Sequence, residues 1–507
     1  MTASGIANAN VAALLERSAA RRGSAPAIIA PEGRLLWTFE DLVEAAARFA
    51  GGLRELGVET GDRVLILERD ARELYRIVTG VVWAGATVVL PPLSLPLGGA
   101  LEVAAASRPH AVIAGLPLWG TAVGHAGLRE APVRIVSGRW RLPGTASVQA
   151  MGCHQPIAPH VVLADSPALL SYTTGSTGPT KAVTRTHGVL QEQHAALGTL
   201  RQLGEADRDF AGLPLLVLHN LGSDVTSILA PRGASSPRYG PSVREALVRT
   251  RATSAAGFPH LFESAVRGAR PGELDRLRSI YVGGSRVRPE LLRALKAIAP
   301  AAAVTVVYGS TEIEPIAAIG ADEYLDLLAR SDPADGAPVG LVLDGLELRM
   351  ELPSERPGPS ARGERGRILL RGPRASGAAG LGRWVDTGDA GHVDEDGRLW
   401  LLGRITNAFG ELYPAEVECV IEALSWVSRA ALVRVDSHPD ARALLAVQPI
   451  EWGAAGIRAE QLVVLRDIAR QRHWPLDKAV LLRRLPVFVG AAAKIDDRRL
   501  RKLASAR

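Results

Sequence analysis

Short apolar runs of four to six residues recur between amphipathic stretches of helical period, and this alternation restricts the possible folds more than any other feature. Asp62-Arg63-Val64-Leu65-Ile66-Leu67 is one such run, followed by helical spacing from about Arg72 to Gly85 and then by Ala86 to Leu90. Similar units recur through Ala111-Val112-Ile113, Val133-Arg134-Ile135-Val136, Ser279-Ile280-Tyr281-Val282 and Val304-Thr305-Val306-Val307. Apolar strands joined by helices are buried on both faces, so an α/β fold with mainly parallel sheets is expected. Upstream, Val11 to Arg22 and Asp41 to Leu56 have helical period on either side of Leu36-Trp37-Thr38-Phe39, so the chain opens helix, strand, helix.

The pattern changes in the last third. Pro353 to Arg367 is rich in Pro, Gly, Ser and charge and reads as a surface loop or short linker. Arg367 to Leu370, Gly391-His392-Val393 and Arg398 to Leu402, the last two separated by Asp394-Glu395-Asp396-Gly397, read as antiparallel strands with a tight turn. From about Thr406, roughly 100 residues carry their own helix and strand alternation, enough for a domain. The expected organisation is a large N-terminal domain, 1–403, of βα-layered sheets plus a small β-barrel-like part. Residues 404–406 then join it to a small α+β C-terminal domain, 407–507.

With 507 residues, 47% of them hydrophobic, each domain can bury a real core, which excludes disulfide-stapled and natively disordered classes. Aromatic residues make up only 5%, so aliphatic side chains must build those cores. The formal charge is 59 − 53 = +6, and with five lysines the arginines number 59 − 5 = 54. They are spread among acids rather than gathered in a stripe, so no nucleic-acid partner is expected. Cys153 and Cys419 form no metal or redox spacing, which fits a reduced, cytoplasmic setting. The most apolar stretch, Val78 to Leu90, is broken by glycines and ends at Pro91-Pro92, so no membrane span is expected.

The sharpest local signal is Leu169-Leu170-Ser171-Tyr172-Thr173-Thr174-Gly175-Ser176-Thr177-Gly178-Pro179-Thr180-Lys181, a strand running into hydroxyls, glycines and one lysine. Small residues let backbone N–H groups approach phosphate oxygens, hydroxyls add donors, and a cation offsets the polyanion. The spacing is not that of the Walker loop, and alone it could be a flexible turn. Farther on come Val282-Gly283-Gly284-Ser285, Val307-Tyr308-Gly309-Ser310-Thr311-Glu312, Trp384-Val385-Asp386-Thr387-Gly388-Asp389, Gly403-Arg404 and Leu485-Pro486-Val487-Phe488-Val489-Gly490-Ala491-Ala492-Ala493-Lys494-Ile495. Each has a plain structural reading, such as a capping Thr, a turn Asp or a solvated Arg.

In this order the segments resemble the adenylate-forming superfamily of acyl-CoA synthetases, nonribosomal-peptide adenylation domains and beetle luciferases, over nearly the whole chain. The first is similar to Thr-Ser-Gly-Thr-Thr-Gly-x-Pro-Lys-Gly, the others to Tyr-Gly-x-Thr-Glu, Thr-Gly-Asp, Gly-Arg and the C-terminal lysine segment. Lys181 and Lys494, two of only five lysines, fall on the family's lysine positions. The resemblance implies that Lys181, Thr173, Thr174, Gly175, Ser176, Thr177 and Gly178 hold the ATP phosphates. It implies that Gly283, Gly284 and Ser285 lie along adenine and the acyl chain, and that Tyr308, with Gly309 and Ser310 beside it, stacks on adenine. Thr311 would contact phosphate, Glu312 hold Mg²⁺, Asp389 bind the ribose hydroxyls, Arg404 contact ribose and phosphate, and Lys494 promote attack on the α-phosphorus.

Several positions depart from the family pattern. Ala182 replaces a glycine, Ala493-Lys494 replaces Gly-Lys, and the stretch Gly403 to Glu416 looks several residues shorter than the usual hinge and glycine loop, with Thr406 at the pivot. Leu213-Pro214-Leu215-Leu216-Val217-Leu218-His219-Asn220-Leu221-Gly222 resembles a segment near the carboxylate pocket, with extra residues before His219, which could equally be a core histidine. The Ala493-Lys494 and His219 features are reminiscent of olefin-pathway β-lactone synthetases, and the family resemblance further implies that 404–406 is a hinge and that the C-terminal domain is mobile. The expected function is ATP- and Mg²⁺-dependent activation of a small-molecule carboxylic acid, a fatty acid foremost, as acyl-AMP with release of pyrophosphate. Transfer to CoA or an acyl carrier protein would follow. The alternatives are β-lactone formation from a β-hydroxy acid and a non-catalytic nucleotide-binding homologue.

Overall fold

Thr38 ends the strand Leu35–Thr38, and its side chain accepts a hydrogen bond from the Asp41 N–H, which opens the helix Phe39–Glu55. Asp70 opens Ala71–Trp83 in the same way through the Glu73 N–H. These helices set Phe49, Leu53, Ile77 and Trp83 against one face of a seven-stranded sheet. The computed structural model describes residues 8–91, 97–138, 142–173, 181–231, 240–351, 364–376, 382–410, 412–435, 443–487 and 495–505. The sheet runs Ala146–Ser147, Val133–Ser137, Ala111–Gly115, Arg63–Leu67, Thr87–Val89, Pro167–Thr173, Lys181–Thr186, and every pairing but the last is parallel. Leu101, Leu118 and Trp119, from the helices Leu97–Ala106 and Leu116–Gly124, cover its other face. Burial on both sides is why these strands read as unbroken apolar runs.

A second sheet has thirteen strands. Pro26–Ile29, Thr226–Leu229, Arg208–Ala211, Ser254–Gly257, Ser279–Gly283 and Ala303–Ser310 pair in parallel around Phe210, Phe262, Ile280 and Leu292. At Ile313–Gly320 the direction reverses. Ala337–Val342, Leu399–Arg404, Val385–Val393, Gly366–Arg371 and Glu347–Glu351 then continue the sheet, each antiparallel to the one before. The tight turn at 394–397 is present, with Asp394 accepting from the Asp396 and Arg398 N–H groups. The strand before it is longer than the sequence pattern suggests, because Thr387, Gly388 and Asp389 belong to it. Thr387 Oγ1 donates to the Ile368 carbonyl and accepts from the Asp389 N–H, and a register shift between Ala390 and Gly391 absorbs the irregularity. Most of the Pro353 to Arg367 segment lies outside the described residues.

Beyond Arg404 a single 3-10 turn, Ile405–Asn407, leads to a smaller α/β lobe. Its sheet, Val427–Arg434, Ala443–Pro449 and Leu476–Leu481, is covered on one face by Pro414–Glu422 and Ala455–Gln471 through Val417, Ile421 and Leu465. Leu500 of the helix Asp497–Ser505 packs with Val433 and Leu444 on the other. The larger lobe is thus mixed α/β with two sheets, and the smaller carries one. Cys153 and Cys419 form no disulfide. Among the described residues no helix is long and apolar enough to cross a membrane.

Candidate active site

Ser254–Gly257, Ser279–Gly283 and Ala303–Ser310 end side by side, and ligands of open α/β sheets bind outside such carboxyl ends. Here those ends open on a cleft of about 1140 Å³ lined by both lobes. Gly284 and Ser285 border it, while Gly283 lies in the strand behind them. A Cβ on Gly283 would come within 2.2 Å of the Val307 carbonyl oxygen, so only glycine lets the two strands lie this close.

Tyr308 is near the end of its strand and buried at the cleft wall, and its Oη donates to Asp389 Oδ2 at 2.8 Å. Asp389 Oδ1 meets Arg404 Nε at 3.1 Å, the two residues facing each other across neighbouring strands. Arg404 also donates to the Thr387 carbonyl at 2.9 Å. Gly388, within the strand Val385–Val393 at φ +73°, sits where a Cβ would be 3.0 Å from Arg404 Nη1, so the irregular backbone there favours glycine. Burial, then the Asp389 charge, holds the Tyr308 hydroxyl well above the ordinary tyrosine value. Asp389 is also the main cause raising Arg404.

Lys181 opens the strand Lys181–Thr186 opposite Thr173, is exposed, and borders the cleft. Thr174, Gly175, Ser176, Thr177 and Gly178 lie outside the described residues, as does Lys494. Gly309, Ser310, Thr311 and Glu312 all line the cleft. Ser310 Oγ is buried and has no hydrogen-bond partner among the described residues. The Glu312 carboxylate has neither a hydrogen bond nor a salt bridge among them, although its carbonyl accepts from the Ser376 N–H. A carboxylate placed this way beside hydroxyls suits a hard divalent cation.

Sequence reasoning missed Arg185. It is buried, donating to Ser171 Oγ at 3.0 Å, to the Thr311 carbonyl at 2.9 Å and to Glu314 Oε1 at 2.8 Å. It ties the hairpin bearing Lys181 to the one bearing Thr311 and Glu312. The available signal was an arginine at the same inward parity as Val183 in a short strand. Asn407, also missed, donates to Asp497 Oδ2 at 2.8 Å, joining the linking turn to the helix after Ile495.

His219 lies on the helix Pro214–Leu221, with its Nδ1 3.0 Å from Nδ1 of His194 on His187–Arg201. One nitrogen must carry the proton and the other accept it. Burial above all, then His194 and Arg201, pushes His219 down to about 2, and burial also lowers His194. The pair lines the cleft, as do Leu14, Leu74, Val78, Leu190, Leu197 and Leu218.

A family model described as AMP-binding enzyme matches residues 15–379. The chain belongs to the AMP-binding enzyme family. As a member it is an AMP-forming acid ligase. It is similar to an olefin β-lactone synthetase of Stenotrophomonas maltophilia, 26% identical over 97% of this chain and 95% of that protein. It is also similar to a 2-succinylbenzoate–CoA ligase of Geobacillus kaustophilus, 27% identical over 88% of each. Among solved structures, the ATP-bound MatB of Rhodopseudomonas palustris has a TM-score of 0.81 at 21% identity, covering 98% of this chain and 99% of that one. A benzoate CoA ligase from Burkholderia xenovorans has a TM-score of 0.80 at 23% identity, covering 97% and 99%. The AMP-binding enzyme thus shares its fold with both of these solved proteins.

Proposed function

We propose that this AMP-binding enzyme activates a carboxylic acid with an aliphatic chain as acyl-AMP, releasing pyrophosphate, and passes the acyl group to a thiol. The observation carrying this reading is the convergence of Tyr308, Asp389, Arg404, Lys181 and Glu312, remote in sequence, on one cleft. The Tyr308 ring forms an adenine platform and Asp389 the ribose acceptor. Both Asp389 oxygens are engaged, but each has a second lone pair for a ribose hydroxyl. Arg404 then offsets charge near the α-phosphate, while Lys181 and the hydroxyls of 173–177 take the β- and γ-phosphates.

Glu312 and Thr311 would hold Mg²⁺, which when bound offsets phosphate charge. The substrate carboxylate attacks the α-phosphorus, the bond to pyrophosphate breaks, and Lys494 neutralises the charge that develops. The acceptor thiol then adds to the acyl carbonyl, and AMP leaves with the electron pair. The acyl chain packs among the aliphatic lining residues Leu74, Val78, Leu190 and Leu218, which is why a fatty acid is favoured. Residues 404–406, which run into the Ile405–Asn407 turn, serve as the hinge between lobes.

A second reading, in which the substrate's own β-hydroxyl displaces AMP to close a β-lactone, is favoured by the similarity to olefin β-lactone synthetases over nearly the full chain. Pyrophosphate release measured with acids of increasing chain length, with and without CoA, and product mass separate the two. Release that grows with chain length and yields acyl-CoA supports the first; a product 18 Da lighter than a β-hydroxy acid, formed without CoA, supports the second. No acid-dependent release across the panel overturns both.

A further inference from the structure

Two arginines follow the Gly283-Gly284-Ser285 turn directly, and both reach the smaller lobe. Arg286 Nη2 lies 2.9 Å from Glu422 Oε1 and 3.4 Å from Glu418 Oε2, and its Nη1 donates to Cys419 Sγ at 3.0 Å. Arg288 Nη1 donates to the Ser428 carbonyl at 2.7 Å, while its Nη2 donates to Glu263 of its own lobe at 3.3 Å. Glu418 and Glu422 are four residues apart on Pro414–Glu422, hence on one helix face. They are fastened within the smaller lobe, Glu418 Oε1 accepting from the Leu432 N–H at 3.0 Å and Glu422 Oε1 from the Ala430 N–H at 2.8 Å. The arginine side is fastened too, since the fully packed Tyr324 donates to the Val287 carbonyl at 2.6 Å. A rigid arm from one lobe therefore meets two fixed carboxylates on the other.

The contact stands at the cleft, where Arg286, Glu418 and Glu422 join Gly284 and Ser285 in the lining. Ile495 and Asp497 of the smaller lobe border the same cleft, so this lobe orientation brings the segment that follows Lys494 to the site. Holding two carboxylates together here carries a cost: burial pushes the Glu418 carboxyl up to about 7 in spite of Arg286 and the Leu432 N–H. A partly buried ion pair of this kind contributes little net stability, because water solvates both halves well once they separate. It therefore specifies an orientation without locking it.

We infer that Arg286 is a positioning residue which, by clasping Glu418 and Glu422, holds the smaller lobe in the orientation that acyl-AMP formation requires, and that the clasp opens for acyl transfer. This rests on the reading that the chain forms acyl-AMP. Arg365 with Glu416 and Arg472 with Asp332 also pair across the lobes, but among the described ion pairs between lobes only that of Arg286 starts from the turn beside the site, Arg288 meeting the smaller lobe through the Ser428 carbonyl alone.

The full-length protein carrying Arg286→Met, Arg286→Lys or Glu418→Gln with Glu422→Gln is assayed in two halves. Acid-dependent pyrophosphate exchange reads adenylation, and consumption of supplied acyl-AMP with CoA reads transfer. Arg286→Met is expected to lower the kcat of exchange at least tenfold with the KM for ATP changed less than twofold, and to leave transfer within twofold or faster. Arg286→Lys should recover part of the loss. The double glutamine variant should reproduce the split, and adding Arg286→Met to it should cost less than a further twofold. Equal loss in both halves, or unchanged exchange, overturns the proposal. Small-angle scattering of the ATP-bound protein gives a readout independent of turnover: Arg286→Met should change the profile by reorienting the smaller lobe, and identical profiles overturn the clasp. A wild type without exchange refutes the proposed function, while the scattering result still decides whether Arg286 orients the lobe.

Discussion

Asp389 has both oxygens already held, one by Tyr308 Oη and the other by Arg404. In the ribose-binding role proposed for it, such pre-orientation would remove the cost of fixing the carboxylate. Tyr308→Phe keeps the ring and deletes only the donor, so the ATP dissociation constant should rise about fivefold, the worth of about 1 kcal/mol for one hydrogen bond. Calorimetric titration checks it, and an unchanged constant would mean Arg404 alone orients Asp389. Both residues could be picked out from local motifs. Their mutual bond could not, because it joins positions 81 apart in the chain and depends on how two strands pack.

Two hairpins share one buried guanidinium, and their spacing is set there. Arg185→Leu leaves Glu314 without its cation and Ser171 and the Thr311 carbonyl without a donor. A loss of about 3 kcal/mol is expected from breaking such a pair, read as a lower urea midpoint, together with weaker ATP binding. A midpoint matching wild type would show that the strands hold their spacing unaided. Helix packing also makes stability depend on pH. His187, at the start of its helix, accepts from the Val11 N–H at 3.2 Å and is pushed by burial down to about 4, while His219 lies at about 2. Below about pH 6.5 the unfolded chain binds protons that the folded chain refuses, so stability falls as pH drops through 6.5 toward the folded values. Between pH 7.5 and 5 the loss should reach at most about 2 kcal/mol per histidine, and His219→Asn should flatten the dependence of the urea midpoint.

At the scale of the whole molecule, two lobes make one site. Asn407 and Asp497 join the linking turn to the last helix, and Ile495 borders the cleft. Lys494→Ala should therefore depress acid-dependent pyrophosphate exchange by about 10² to 10³, the scale of a lost charge-stabilising group, while the ATP dissociation constant stays within twofold. Equal loss of binding and exchange would assign Lys494 to substrate binding instead.

Periodicity alone determined the alternating strands and helices of the larger lobe, because burial on both faces leaves unbroken apolar runs that nothing else in the chain imitates. The motifs singled out Lys181, Glu312, Tyr308, Asp389 and Arg404 by side-chain chemistry, and these residues line one cleft. What only the tertiary structure decided is how those groups are held: Arg185 between hairpins, the His194 and His219 pair, Asn407 with Asp497, and Arg286 against Glu418 and Glu422. Each joins residues that share no local pattern. Their partners are chosen by strand order and by the meeting of two lobes, and neither has a period that a linear sequence can record.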